Sequence, residues 1–382
     1  MNTRNTIITL IALICLGVLP LSTVQAAKIG KNSCGGMDVP NDYCSFEDAG
    51  DGVQIGKDSC NVEFSCNGLG DGVKIGNNSC NGEYACNDIG TSDGMAVIGN
   101  DSCNSEYGCI RIGLGGDANI GANSCNAYYA CGDAGRSGEA TIAKDACNAN
   151  NACYYSGSKG GDVTVGAGSC NDYQACQYAA GSGGTAEIDK GSCIGYLACR
   201  YAGDGGEAAI GKDSCLGYQA CGEAGYIGAA TIGAGSCKGT NACIFVAHFS
   251  GSIAEIGKGS CIGYDACEEV GYNGQATIGK DSCVSGDYSC NKAAYSGDAT
   301  IGDKSCNGYY ACQNVASDSG ISSSVGQQSC NGSKACYEVG ESNNSTIEKG
   351  SCNNYEACYQ VGIDIDDKEC NAPEQCSNRE SS

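Results

Sequence analysis

Cysteine pairs recurring about every 22 residues constrain this chain more than any other feature. Apart from Cys15, the cysteines form sixteen consecutive pairs: Cys34 and Cys44, Cys60 and Cys66, Cys80 and Cys86, Cys103 and Cys109, Cys125 and Cys131, Cys147 and Cys153, Cys170 and Cys176, Cys193 and Cys199, Cys215 and Cys221, Cys237 and Cys243, Cys261 and Cys267, Cys283 and Cys290, Cys306 and Cys312, Cys330 and Cys336, Cys352 and Cys358, and Cys370 and Cys376. Fourteen pairs have the spacing C-x5-C; Cys34/Cys44 is spaced x9 and Cys283/Cys290 x6. Successive first cysteines lie 18 to 26 residues apart, with both extremes at the ends. Atypical end units are the mark of a tandem array.

The residues around the pairs keep the same register. Ile or Val stands five residues before all sixteen first cysteines, from Ile29 and Ile55 through Val165 to Ile365. Two residues earlier comes Ala or Val in most units, such as Ala140, Val163, Ala230 and Ala276, with a freely varying residue between. Apolar–variable–apolar is the period of a strand with one buried face. Gly follows the Ile/Val in twelve units and closes the strand in a turn. Ser precedes the first cysteine in fourteen units and Asn follows it in ten, among them Asn61, Asn81, Asn104, Asn126, Asn307 and Asn353. Asn suits left-handed turns, and a stacked Asn column is expected to form an inter-coil amide ladder.

A 22-residue unit cannot bury its own apolar face, but stacked units bury it jointly. No unit carries the i, i+3, i+4 pattern of a helix, and 61 glycines punctuate the chain. With four Phe and no Trp, one large globular core is excluded. The expected fold is all-β, a parallel β-solenoid of about sixteen 22-residue coils, disulfide-stapled, with two or three short strands per coil. Coils stacked at strand spacing give a rod about 75 Å long. The expected division is a signal peptide at 1–26, cysteine-rich repeats at 27–376 and a polar tail at 377–382. The signal reading rests on Arg4, the apolar run from Ile7 to Leu21 and the small-residue site Val24-Gln25-Ala26. Cleavage after Ala26 removes Cys15 and leaves no membrane-spanning segment. Export places the mature chain in an oxidising compartment, secreted or at the cell surface.

The recurrent text, as in IGKDSCLGYQAC (210–221) and IGDKSCNGYYAC (301–312), resembles a family of exported tandem IGxxSCNGxxAC repeat proteins, largely uncharacterised. The resemblance covers residues 27–376 and implies a β-helix with no assigned activity. A looser similarity links C-x5-C-x2-A, as in Cys125, Cys131 and Ala134, to short-coil insect antifreeze β-helices, which close each coil with its own disulfide. Those coils are shorter, so only the stapling logic carries over.

Equal numbers of coils and pairs favour one disulfide inside each coil, each stabilising by about 2 kcal/mol on the chain-entropy model. The rivals are a column of free thiols and bridges between adjacent coils, such as Cys66 to Cys80. Zinc is disfavoured, since C-x5-C lacks knuckle spacing.

A net charge of −23 repels phosphate backbones and excludes a nucleic-acid partner. Catalytic signals are sparse. There is no G-x-S-x-G elbow. The one histidine, His248, sits in a lengthened coil beside Phe245 and Phe249 and reads as packing. A polysaccharide-binding or polysaccharide-cleaving β-helix is the alternative function, but Arg111, Arg136, Arg200 and Arg379 form no visible cluster in the sequence. No cofactor is expected. Calcium is a weak candidate through the carboxylates Asp117, Glu139, Asp162, Glu207 and Asp298, a column broken by Thr185, Ala229 and Gln275. An ice-binding threonine array is too irregular, with Thr141, Thr164, Thr231, Thr277, Thr300 and Thr346 separated by charged residues.

Tyrosine is the most suggestive surface feature, with 22 Tyr against four Phe. The candidate surface-binding residues are Tyr173, Tyr196, Tyr218, Tyr264, Tyr309 and Tyr355, each three residues before a second cysteine in register. They are expected to form a stripe whose ring faces engage an extracellular glycan or surface polymer. The expected function is therefore a secreted structural, adhesive or surface-binding protein without catalytic activity.

Overall fold

The computed structural model describes residues 27–34, 50–340 and 343–360. Fifteen strands, from Lys28–Ile29 to Ser345–Ile347, form one sheet in which each strand pairs only with its neighbours in sequence. Every pairing is parallel, and the register holds the isoleucines in one file: Ile210, Ile232, Ile256, Ile278 and Ile301 are direct partners. This is the expected all-parallel β-solenoid. The sixteenth expected unit, with Ile365, Cys370 and Cys376, lies outside the described residues, as do the signal segment, Cys44 and the tail.

The strands alternate as the sequence pattern demands. In Asp162–Val165, Val163 and Val165 are buried while Asp162 and Thr164 face out. The core is a narrow column of Ile or Val, Ala, and both sulfurs of each pair, with the residue three beyond the second cysteine closing it: Leu69, Ile89, Ile112, Ala134 and Val246 are all buried. No helix occurs among the described residues.

Coils hold one strand of at most four residues, not two or three. The reason is backbone geometry. In the coil of Cys215, the φ values of Asp213 (57°), Cys215 (58°), Gln219 (48°), Glu223 (60°) and Gly225 (64°) are left-handed. Such residues turn the chain repeatedly and leave no second extended run. Left-handed geometry costs a non-glycine residue roughly 1–2 kcal/mol, so neighbouring contacts must hold it.

Three devices do so. Disulfides join Cys60 to Cys66 and every later described pair through Cys352–Cys358, with Cα atoms 5.4 to 5.9 Å apart. Each bond lies within one coil, and Cys34 is also disulfide-bonded. A column of buried serines forms the second device. The Ser214 hydroxyl donates to the Gly233 carbonyl at 2.9 Å and accepts from the Ser236 N–H at 3.2 Å, both in the next coil. At Ala146 the column is interrupted, and the Ser169 N–H turns to the Gly166 carbonyl instead.

Asparagine supplies the third. The expected amide-to-amide ladder is not what forms. Asn104 Oδ1 accepts from the backbone N–H of Asn81 at 3.1 Å, and its Nδ2 donates to the Asn78 carbonyl at 2.9 Å. Each amide thus clamps the backbone of the preceding coil, satisfying groups that lack sheet partners. Where Ile194, Leu216, Lys238 and Ile262 replace Asn, the backbones pair directly as parallel bridges. Gly195, Gly217 and Gly239 follow at φ of 139° to 143°, and a Cβ at Gly217 would overlap the Gly239 carbonyl. Glycine is required there by close backbone approach.

Candidate functional site: tyrosine ladders and a cationic groove

Because residues at one repeat position stack at coil spacing, each aromatic column becomes a ladder. The six candidate tyrosines are all exposed, from 43% for Tyr173 to 55% for Tyr355. Only three form a continuous row. Tyr173, Tyr196 and Tyr218 occupy successive coils, with centroids 5.4 Å apart and planes within 7° of parallel. At the same position Thr240 separates Tyr218 from Tyr264, Asp287 separates Tyr264 from Tyr309, and Ser333 separates Tyr309 from Tyr355, so these last three tyrosines stand apart. Tyr264 meets Tyr288 edge-on at 5.6 Å, and Tyr309 meets Tyr310 at 4.3 Å.

The stacking also corrects the expected mode of contact. Offset parallel rings cover each other's faces, so Tyr196 offers the solvent its edge and hydroxyl. Open faces for sugar stacking are not what this row presents.

A longer aromatic path escaped the sequence reading. Phe64, Tyr84, Tyr107 and Tyr129 stack at 4.8 to 5.3 Å. Through Tyr154 the path crosses to Tyr155, Tyr178 and Tyr201, and then to Tyr226, His248, Tyr272 and Tyr295. The signal was present: Tyr155, Tyr178 and Tyr201 each lie two residues after a second cysteine, and Tyr226, His248, Tyr272 and Tyr295 five after.

His248 therefore takes a tyrosine's place in a ladder, in keeping with its reading as packing. Its Nδ1 lies 3.5 Å from Glu223 Oε2, with the imidazole 14% exposed. Burial pushes the imidazole below its ordinary value and the Glu223 carboxyl above its own. Both shifts favour a neutral pair.

The acidic column is largely taken up by backbone. Asp117, Asp162 and Asp298 accept the N–H groups of Met95, Glu139 and Gln275 in the preceding coils at 3.0 to 3.2 Å. This capping explains why Asp recurs there without invoking an ion. On the outer sheet face, Thr141 pairs with Thr164 and Thr277 with Thr300, but Glu187, Ala209 and Glu255 interrupt the file.

Of Arg111, Arg136, Arg200 and Arg379, the first two do meet, which the sequence concealed, while Arg200 lies over the Tyr201 ring and Arg379 falls outside the described residues. Asp133, its carboxylate fully buried, binds Arg111 at 2.7 Å from the preceding coil and Arg136 at 3.4 Å from its own. Arg111 and Arg136 are 25 residues apart in sequence, so only the stacking of coils reveals the pair. Beside them opens a groove of about 560 Å³ lined by Arg136, Ser137, Tyr155, Ser158, Lys159 and Tyr178.

No helix among the described residues is long and apolar enough to cross a membrane. No curated protein and no solved structure matches the chain. A family described as a domain of unknown function, DUF7640, matches residues 41–142, 178–255 and 245–328. These segments span well over half of the cysteine-rich repeats, and the chain belongs to that family.

Proposed function

We propose that this is an exported, disulfide-stapled rod that binds an extended neutral polymer at an extracellular surface, without catalysis. The observation that carries the reading is the exposed row Tyr173, Tyr196 and Tyr218, one hydroxyl per coil on one face. A rigid array of phenols engages a repeating chain by many weak hydrogen bonds, and linked weak contacts gain strongly in avidity. The net charge of −23 disfavours polyanions over the surface as a whole. Export is supported by the segment 1–26, by the many disulfides, which persist in oxidising compartments, and by the resemblance to exported repeat proteins.

The test is depletion binding of the mature protein to microcrystalline cellulose and to chitin. Replacing Tyr173, Tyr196 and Tyr218 together by Phe keeps the stack and removes three hydroxyls. At about 1 kcal/mol per hydrogen bond, affinity is expected to fall at least tenfold with thermal unfolding unchanged. Unchanged affinity, or no binding of either polymer by the parent protein, overturns the reading.

A further inference from the structure

We infer that the groove between Arg136 and Lys159 is a second binding site, separate from the tyrosine row, that takes the carboxylate of an acidic sugar. The rod carries 44 acidic residues against 21 basic ones. Against that background, Arg111, Arg136 and Lys159 fall in three successive coils, with the two arginines joined through the Asp133 carboxylate. The Asp133 carboxylate is spent on the two arginines. Arg136 gives it a single N–H at 3.4 Å and keeps its remaining donors, with a side chain 44% exposed. Lys159 is exposed and makes no salt bridge among the described residues, although its charge favours the ionised form of the Asp204 carboxyl. Its backbone N–H donates to the Arg136 carbonyl at 2.8 Å, which fixes the two cations in adjacent coils.

The groove's remaining walls select the rest of the ligand. Tyr155 and Tyr178 stack at 5.5 Å with planes 6° apart, and Tyr154 and Tyr201 cover their outer faces. What they offer is edge and hydroxyl, and ring edges are the positive part of the aromatic quadrupole. Ser137 adds a further hydroxyl. Cations, positive edges and hydroxyls together suit an anion rich in its own hydroxyls. A uronic acid satisfies this: its carboxylate pairs with the planar fork of Arg136 and with Lys159, and its ring hydroxyls meet the phenols and Ser137. A volume of about 560 Å³ lies in the range of small-ligand sites.

Calorimetry on the mature protein with a uronic-acid trisaccharide tests this. Two control ligands divide the chemistry: the methyl-esterified trisaccharide keeps the hydroxyls without charge, and acetate keeps the charge without hydroxyls. The trisaccharide is expected to bind, with the ester at least tenfold weaker and acetate showing no measurable heat. Arg136→Ala with Lys159→Ala should abolish binding of the trisaccharide while leaving cellulose or chitin binding unchanged, and Lys159→Ala alone, which breaks no salt bridge, should weaken trisaccharide binding at least tenfold with thermal unfolding unchanged. Equal binding of the ester, saturable binding of acetate alone, or full binding by the double variant overturns the inference. The Tyr173, Tyr196 and Tyr218 triple Phe variant should bind the trisaccharide normally, so failure at one site is distinguishable from failure at the other.

Discussion

His248 lies flat against Tyr272, with ring centroids 5.3 Å apart and planes 3° from parallel. Tyr226 stacks on its other face at 5.1 Å. A single imidazole thus stands where the neighbouring coils place phenols, and only this member of the ladder titrates near neutral pH.

That position sets a pH dependence. Burial lowers the folded-state value of His248 below the ordinary 6.5. Between the folded and unfolded values the unfolded chain holds more protons, so stability is full above about pH 6.5 and falls as pH drops below it. Glu223, raised by burial, acts oppositely: its contribution is present at low pH and is lost as pH rises through its folded value. An NMR titration of the lone histidine should place it below 6.5. A value above 6.5 would mean that Glu223 holds it as an ion pair. His248→Tyr should preserve the ladder and remove the histidine's part of the acid destabilisation.

The serine column predicts a local cost. Ser214→Ala removes the hydroxyl that accepts from the Ser236 N–H and donates to the Gly233 carbonyl. Leaving a buried donor unpaired costs about 1–3 kcal/mol. Because each coil contacts only its neighbours, the loss should be read by amide hydrogen exchange, faster around Ser236 and unchanged beyond the adjoining coils. Exchange unaltered at Ser236 would show that the backbone finds a replacement there, as Ser169 does beside Ala146.

Backbone approach makes Gly217 intolerant of a side chain. Gly217→Ala places a methyl group on the Gly239 carbonyl and forces a residue at φ 143° into strain. The expected outcome is loss of the bridges linking Ile194, Leu216 and Lys238, seen as lost exchange protection, with a lowered unfolding temperature. Gly72, whose Cβ would meet nothing within 4 Å, is the comparison: Gly72→Ala pays only for its left-handed φ of 67°.

Much of the fold was legible because the solenoid repeats its constraints. The Ile/Val file, the Ala before it and the cysteine register each appear in unit after unit, so the buried face of the strand could be read from spacing alone. The rest depended on dihedral angles that residue type does not announce. Cys215, Gln219 and Glu223 are all left-handed, although none belongs to a residue type that favours this geometry. Without that knowledge the second half of the coil had no phase, and extra strands were expected where turns occur. The site was half legible for the same reason. Tyr173, Tyr196 and Tyr218 share a repeat position and could be aligned by eye. Arg111 and Arg136 occupy different repeat positions and meet only through Asp133, between stacked coils.

The most direct test of the stapled solenoid is non-reducing peptide mapping of the mature protein. Sulfurs of adjacent coils are close: one atom each from Cys147, Cys153 and Cys170 lies within 4.8 Å of the others. Sulfur proximity alone therefore does not distinguish a Cys153–Cys170 bridge from closure within the coil. Closure of each coil by its own disulfide predicts crosslinks such as Cys147–Cys153, Cys170–Cys176 and Cys283–Cys290, with no free thiol after denaturation. A dominant crosslink between coils, such as Cys153–Cys170 or Cys66–Cys80, would contradict it.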